Sequence, residues 1–165
     1  MARAAPVMTR APDQVSTDST ASRSGYDWPV AGDGGDPTVL RGFDPPPLPW
    51  LPGHRGVDLA AELSAPVRAA GPGTVAFAGM VAGRPVVSIQ HPDGLRTTYE
   101  PVTPTVQAGD AVETGDLIGR LDDAGSHCEG ACLHWGVRTG TDDYLDPLVL
   151  LGAEVVIRLY PPAQG

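Results

Sequence analysis

The chain contains no lysine and no asparagine, so all 11 of its basic residues are arginine. We read this as a GC-rich coding bias, which leaves no lysine side chain to modify. Long apolar runs are missing too: nothing approaches the roughly 18 to 20 consecutive apolar residues that cross a bilayer, and no membrane span is expected. No apolar segment follows Arg3, so no signal peptide is read in this chain. Basic charge is scarce. Eleven arginines stand against 20 acidic residues, and the net charge of -9 argues against a nucleic-acid backbone or an anionic lipid surface as partner, while leaving cationic partners open. Gly (21) and Pro (18) are abundant in these 165 residues, and long-period apolar patterning is weak, which points to one compact, turn-rich β domain rather than a helical one.

Residues 1–25 are rich in Ser, Thr, Ala, Asp and Arg and carry almost no large apolar side chains. They cannot offset their own ordering entropy, so a disordered leader is expected there, followed by a β domain over 26–150 and a tail over 151–165. Gly42 to Gly53 is stiffened by proline, which rules out helix. Short runs with β-branched content and bounding Gly, Pro or Asp predict strands at Thr74–Ala78, Val86–Gln90, Leu95–Glu100, Leu117–Leu121 and Leu133–Arg138. His91-Pro92-Asp93-Gly94 predicts a hairpin turn between the second and third of these. Pro66–Val75 and Val106–Gly119 resemble each other, each a short strand, a glycine turn and a short strand. The second is also similar to a biotinyl or lipoyl carrier barrel, but such carriers modify a lysine and this chain has none. The expected fold is all-β, a small antiparallel β-sandwich or barrel-sandwich hybrid with hairpin turns and long loops.

Histidine and aspartate at His54 and Asp58 suit zinc chemistry. A straight strand would set residues four apart at about 13 Å, too far to share an ion. A helix is disfavoured by Pro52, Gly53 and Gly56, so a bend at Gly56 is expected to turn both side chains to one point.

Those residues, with Trp28-Pro29-Val30, Pro66-Val67 to Gly79, Val86 to His91, Thr98-Tyr99, Val106 to Gly119, Leu133-His134-Trp135 and Tyr144-Leu145-Asp146-Pro147, form an ordered series. The series resembles the lysostaphin-like (LytM-type) zinc endopeptidases, which cleave peptide cross-links of bacterial peptidoglycan, and the resemblance spans Trp28 to Leu150. It implies zinc held by His54, Asp58 and His134. In that family two further histidines activate water and stabilise the oxyanion, one before the second His of a His-x-His motif and one in a Tyr-x-His motif. Here those positions are Cys132 and Pro101.

Losing both helpers predicts a severe loss of turnover, since one positioned acid or base is worth about 10² to 10⁴ in rate. Two substitutes are weighed. His127 precedes Cys128 in a loop and could swing over the metal, whereas Glu100 neighbours the vacant position and strand alternation should point it away. Cys132 shares a strand face with His134. It either pairs with Cys128 in a disulfide around Glu129-Gly130-Ala131 or supplies a fourth zinc ligand. His91 is expected to be structural. Trp28, Trp50 and Trp135 are read as core or groove walls, Trp135 being a candidate cleft wall; Tyr99 is read mainly as core, Arg138 as a solvated arginine able to pair a carboxylate, and Asp142-Asp143 as loop charges.

The function expected from the resemblance is a peptidoglycan-directed, extracytoplasmic domain that keeps zinc but is catalytically weak or serves binding or regulation. The alternatives are an active endopeptidase with a non-standard base and a cytoplasmic zinc-stabilised β module. The expected partner is a wall peptide or a cell-wall hydrolase, with the protein a monomer.

Overall fold

The computed structural model describes residues 25–152; the expected leader, apart from Gly25, and the tail beyond Gly152 lie outside the described residues. The strands run Val39–Arg41 (β1), Gly56–Ala60 (β2), Pro66–Arg68 (β3), Gly73–Val81 (β4), Arg84–Gln90 (β5), Arg96–Glu100 (β6), Val102–Pro104 (β7), Ala111–Val112 (β8), Leu117–Leu121 (β9), Cys132–Arg138 (β10) and Tyr144–Leu145 (β11). The larger sheet has the order β1-β2-β10-β6-β5-β4-β8, with β11 also paired to β10, and the smaller has the order β3-β9-β7. Every pairing is antiparallel. The expected all-β antiparallel class is what forms, as two open sheets.

Two-residue periodicity explains why the large sheet has one apolar and one chemical face. In β10, Leu133, Trp135 and Val137 are buried, while His134 and Arg138 remain partly open. In β6, Thr97 and Tyr99 are fully buried and alternate with the more open Arg96, Thr98 and Glu100. The apolar set packs with Val57 and Leu59 of β2, Val87 and Ile89 of β5, and with Val67, Val102, Ile118 and Leu121 of the small sheet, forming one core between the sheets. Burial of each such aliphatic side chain contributes about 1.5–3 kcal/mol. The opposite face is left free to form a cleft.

The expected hairpin turn is present: the His91 amide donates to the Leu95 carbonyl at 2.9 Å, and Gly94 takes φ +89°. Strand β4 runs three residues past the predicted Ala78. The chain reverses at Ala82 and Gly83, with φ of 49° and 80°, the left-handed pair that matches strand twist in a tight hairpin. The two look-alike segments are bonded to each other. Gly109 donates to the Val75 carbonyl and Gly115 to that of Ala69, both at 2.8 Å.

A polar chain threads the core side of β6. His91 Nδ1 donates to the Pro72 carbonyl at 2.7 Å, which leaves its Nε2 to accept from Thr97 Oγ1 at 2.7 Å. Thr97 Oγ1 then accepts from the Tyr99 hydroxyl at 2.8 Å, which in turn accepts from the Ala70 amide at 3.0 Å. His91 and Tyr99 are therefore structural, as expected. Burial raises the Tyr99 phenol to about 12, against the lowering effect of its hydrogen bonds.

Burial also lowers the His91 pKa, more than the Pro72 hydrogen bond and the Asp93 charge raise it. Below about pH 6.5 the unfolded chain takes up a proton that the buried ring refuses. Stability is thus full above that value and declines as pH falls toward the lower folded pKa. His91→Ala is expected to cost about 2–4 kcal/mol at pH 8, by unpairing the Pro72 carbonyl and opening a cavity. In urea unfolding the gap between the variant and the wild type should narrow at pH 5.

Candidate metal centre

Asp58 and His134 sit directly opposite each other where β2 pairs with β10, so both side chains leave the same face of the sheet. His54 precedes β2 in an isolated antiparallel bridge to Asp44, held by two backbone hydrogen bonds of 2.7 and 2.9 Å. Between them the chain bends at Arg55, one residue before the expected Gly56. The bend replaces the 13 Å of a straight strand with 3.0 Å from His54 Nε2 to Asp58 Oδ1. Gly56 has a different task. It opens β2 against Gly136, where a Cβ would collide with the Trp135 carbonyl and come within 2.9 Å of His134 Nε2. Only a hydrogen in place of a side chain lets the imidazole lie there.

Asp58 is the hub. Its Oδ1 lies 3.0 Å from His54 Nε2 and 2.9 Å from His134 Nδ1, and its Oδ2 lies 2.7 Å from His127 Nε2. Burial pushes the carboxyl up, but hydrogen bonds from His134 and His127 and the charges of His127 and His54 outweigh it and hold the pKa at about 2. The carboxylate is therefore ionised throughout the neutral range.

One contact tests whether the group suits a metal. His54 Nδ1 donates to the Gly42 carbonyl at 2.7 Å. In the neutral ring Nε2 then carries a lone pair, yet it faces a carboxylate oxygen that has only lone pairs to offer. A cation must lie between them, either a proton or a metal ion. Ligand histidines are commonly oriented by such a carbonyl contact on the far nitrogen. The ligand atoms of His54, Asp58, His127 and His134 all lie within 4.8 Å of one another, and imidazole nitrogen with carboxylate oxygen is a zinc donor set. The residues fit the ion. His54 and Asp58 side chains are 4% and 2% exposed, His134 14% and His127 37%, so the cluster opens to solvent on the His127 side.

The two replaced positions differ in environment. Cys132 is disulfide-bonded to Cys128, with Cα atoms 6.1 Å apart and Gly130 at φ +98° in the intervening turn. Its sulfur is committed, so the fourth-ligand alternative for Cys132 is not what forms. Pro101 is buried just beyond the end of β6. Glu100 requires a correction, because it does not point away. It sits directly opposite His134 in the β6–β10 register, lines the same cleft, and pairs with Arg84 Nη1 at 3.8 Å. Alternation points Glu100 away only if position 101 belongs to the strand, and the chain leaves β6 at Glu100. Trp135 is also not a cleft wall; it is fully buried and stacks obliquely on Trp28 at 6.4 Å. The cleft holds about 730 Å³ and is floored by β5, β6 and β10. Arg84 and Arg96, which line it, went unremarked in the sequence; Arg96 shares strand parity with Thr98 and Glu100, whereas Arg84 reaches the cleft through the pairing of β5 with β6, which no local pattern shows.

The family model for peptidase family M23 matches residues 52–147. The Mycobacterium tuberculosis H37Rv protein Rv2891 is 48% identical over 145 residues, 86% of this chain and 57% of that protein. The chain thus spans little more than half the length of this curated relative. The catalytic domain of the antimicrobial peptidase lysostaphin from Staphylococcus simulans superposes with a TM-score of 0.62 at 25% identity, covering 71% of this chain and 93% of the other. A zinc containing peptidase from Vibrio cholerae superposes at 0.58 with 26% identity, covering 68% and 36%.

Gly56→Ala is expected to lower stability by about 1–3 kcal/mol, the usual cost of overpacking. Reducing the Cys128–Cys132 bond should cost about 2 kcal/mol through loop-closure entropy. Denaturant midpoints of the variant, and of the wild type with and without reductant, measure both.

Proposed function

The chain belongs to peptidase family M23, related to peptidoglycan hydrolases, and on that premise we propose an extracytoplasmic, peptidoglycan-directed domain that holds zinc through His54, Asp58 and His134 and turns over weakly. The observation that carries the zinc reading is the His54 ring, whose Nδ1 is committed to Gly42 so that Nε2 faces Asp58 in need of a cation. Zinc bound there would supply Lewis acidity toward a peptide carbonyl and lower the pKa of water to about 7. The chain's own residues do the positioning. Gly42 fixes the His54 tautomer, Asp58 offers an ionised oxygen, and Gly56 keeps the His134 ring against the sheet.

Weak turnover follows from the replaced helpers. Pro101 has no proton to exchange, and Cys132 has surrendered its thiol to the disulfide. The bonded cysteines also favour an oxidising compartment over the cytoplasmic alternative.

A second reading has its own observation. His127 lines the cleft, is the most solvent-exposed imidazole of the cluster, and contacts Asp58 Oδ2 at 2.7 Å. It is placed to exchange protons with solvent and could stand in for a missing base.

Calorimetric zinc titration and release of peptides from purified wall separate these readings. Loss of a residue that merely orients a ligand costs about 10 to 100-fold in metal affinity, so His54→Ala should exceed that loss. In the weak-turnover reading His127→Ala leaves the slow residual hydrolysis near its wild-type rate. If His127 is the base, turnover instead drops by about 10² to 10⁴ with zinc retained. A wild-type protein that takes up no zinc would sink both.

A further inference from the structure

The cleft face of β6 and β10 carries three cross-strand pairs in sequence: Glu100 opposite His134, Thr98 opposite Gly136, and Arg96 opposite Arg138. The first pair belongs to the histidine cluster. The second is small and leaves a floor on which an extended chain can lie. The third sets two positive charges directly against each other, an arrangement that destabilises a sheet unless something negative offsets it.

The protein itself does not offset it. Among the described residues no carboxylate pairs with Arg96 or Arg138, whereas Arg84 at the histidine end has Glu100. Arg96 commits only its Nε, donating to Gln90 Oε1 at 3.0 Å, and Gln90 is held by its own bond to the Leu95 carbonyl at 3.2 Å. That contact fixes the guanidinium and leaves both terminal nitrogens free. The Arg138 guanidinium donates no hydrogen bond among the described residues, and a polar recess beside the pair is edged by Thr139 and Thr141. The wider setting has the same sign. Of the seven arginines in residues 25–152, five line this one cleft, although the whole chain carries a net charge of -9.

We propose that Arg96 and Arg138 form a carboxylate-binding subsite that anchors an acidic peptide in the cleft, with its carboxylate about 13 Å, or four residues of extended chain, from His134. Paired guanidinium forks match a carboxylate's two oxygens through short, charge-assisted hydrogen bonds. Continuity with the Thr98–Gly136 floor selects a peptide over an isolated anion. The proposal rests on the peptide-directed reading above and adds a specificity that the metal cluster cannot supply.

Two fluorescein-labelled Gly/Ala pentapeptides, one ending in a free carboxylate and one in a carboxamide, test it by fluorescence anisotropy on the zinc-loaded protein. The wild type should bind the acid about tenfold more tightly, the scale of one charge-assisted contact. Arg96→Gln/Arg138→Gln should abolish the preference, and Arg138→Gln alone should reduce it without touching the Arg96–Gln90 contact. Arg68→Gln, on the small sheet, should leave it intact. Equal binding of acid and amide by the wild type overturns the proposal, as does a preference that survives the double variant. A preference erased by inorganic phosphate at concentrations where acetate has no effect also overturns it, assigning the pair to phosphoryl groups. Binding needs no hydrolysis, so the two readings fail separately. Absence of zinc-dependent wall hydrolysis strikes the peptidase reading alone, and loss of acid preference with hydrolysis intact strikes the subsite alone.

Discussion

An ionised carboxylate buried at the junction of two strands is the constraint on which this structure turns. Asp58 is almost wholly removed from solvent, and a bare charge there would cost several kcal/mol. The fold compensates by bringing three imidazoles to its two oxygens from three places in the sequence: the bend before β2, the loop ahead of Cys128, and the facing strand β10. Each arrival has a backbone cause. His134 comes by strand register, His54 by the bridge to Asp44 and its bond to Gly42, and His127 by a loop tied down at Cys128. The backbone brings the imidazoles together, and the carboxylate is the contact that all three share.

The division of the large sheet into two faces makes such a site affordable. Core-facing residues of β2, β5, β6 and β10 are apolar or belong to the saturated chain from His91 to Ala70, so the sheet does not rely on its cleft face for stability. The cleft face can then hold groups that are poor for folding: a charge cluster at one end and opposed arginines at the other. Glycine is the device that lets both faces work. At Gly56 and Gly136 the strands approach without side chains between them, and the resulting gap is occupied by the His134 ring.

How much of this was legible in the sequence depends on whether the deciding contact is local. The hairpin at His91–Gly94 and the alternation of β6 were readable because turn chemistry and two-residue periodicity act over a few residues. The all-β antiparallel class followed from them. The convergence of His54, Asp58 and His134 was expected from motif order, not from periodicity, since nothing within five residues of His54 shows what His134 will face. Glu100 was misjudged for a local reason: alternation was carried one residue past the end of the strand. The role of Gly56 was illegible because its collision partners, the Trp135 carbonyl and His134, lie about eighty residues away. The charge of the cleft was hidden by averaging. A net charge of -9 describes the whole chain, whereas strand register gathers arginines from β1, β5, β6 and β10 and the bend at Arg55 onto one wall.

The two replaced positions then cease to be independent losses. A histidine at position 132 would occupy the strand face beside His134, but it would also leave Cys128 without its bond. The cysteine found there closes the turn through Gly130 and so restrains the segment that carries His127 toward Asp58. What position 132 gives up in proton transfer it thus returns as a fixed approach for an imidazole from outside the strand. Pro101 contributes no such compensation, but the residue before it does: Glu100 faces His134 across the register and is held by Arg84. The cleft therefore has an imidazole and a carboxylate beside positions 132 and 101, each brought by a different element and each held by a contact of its own.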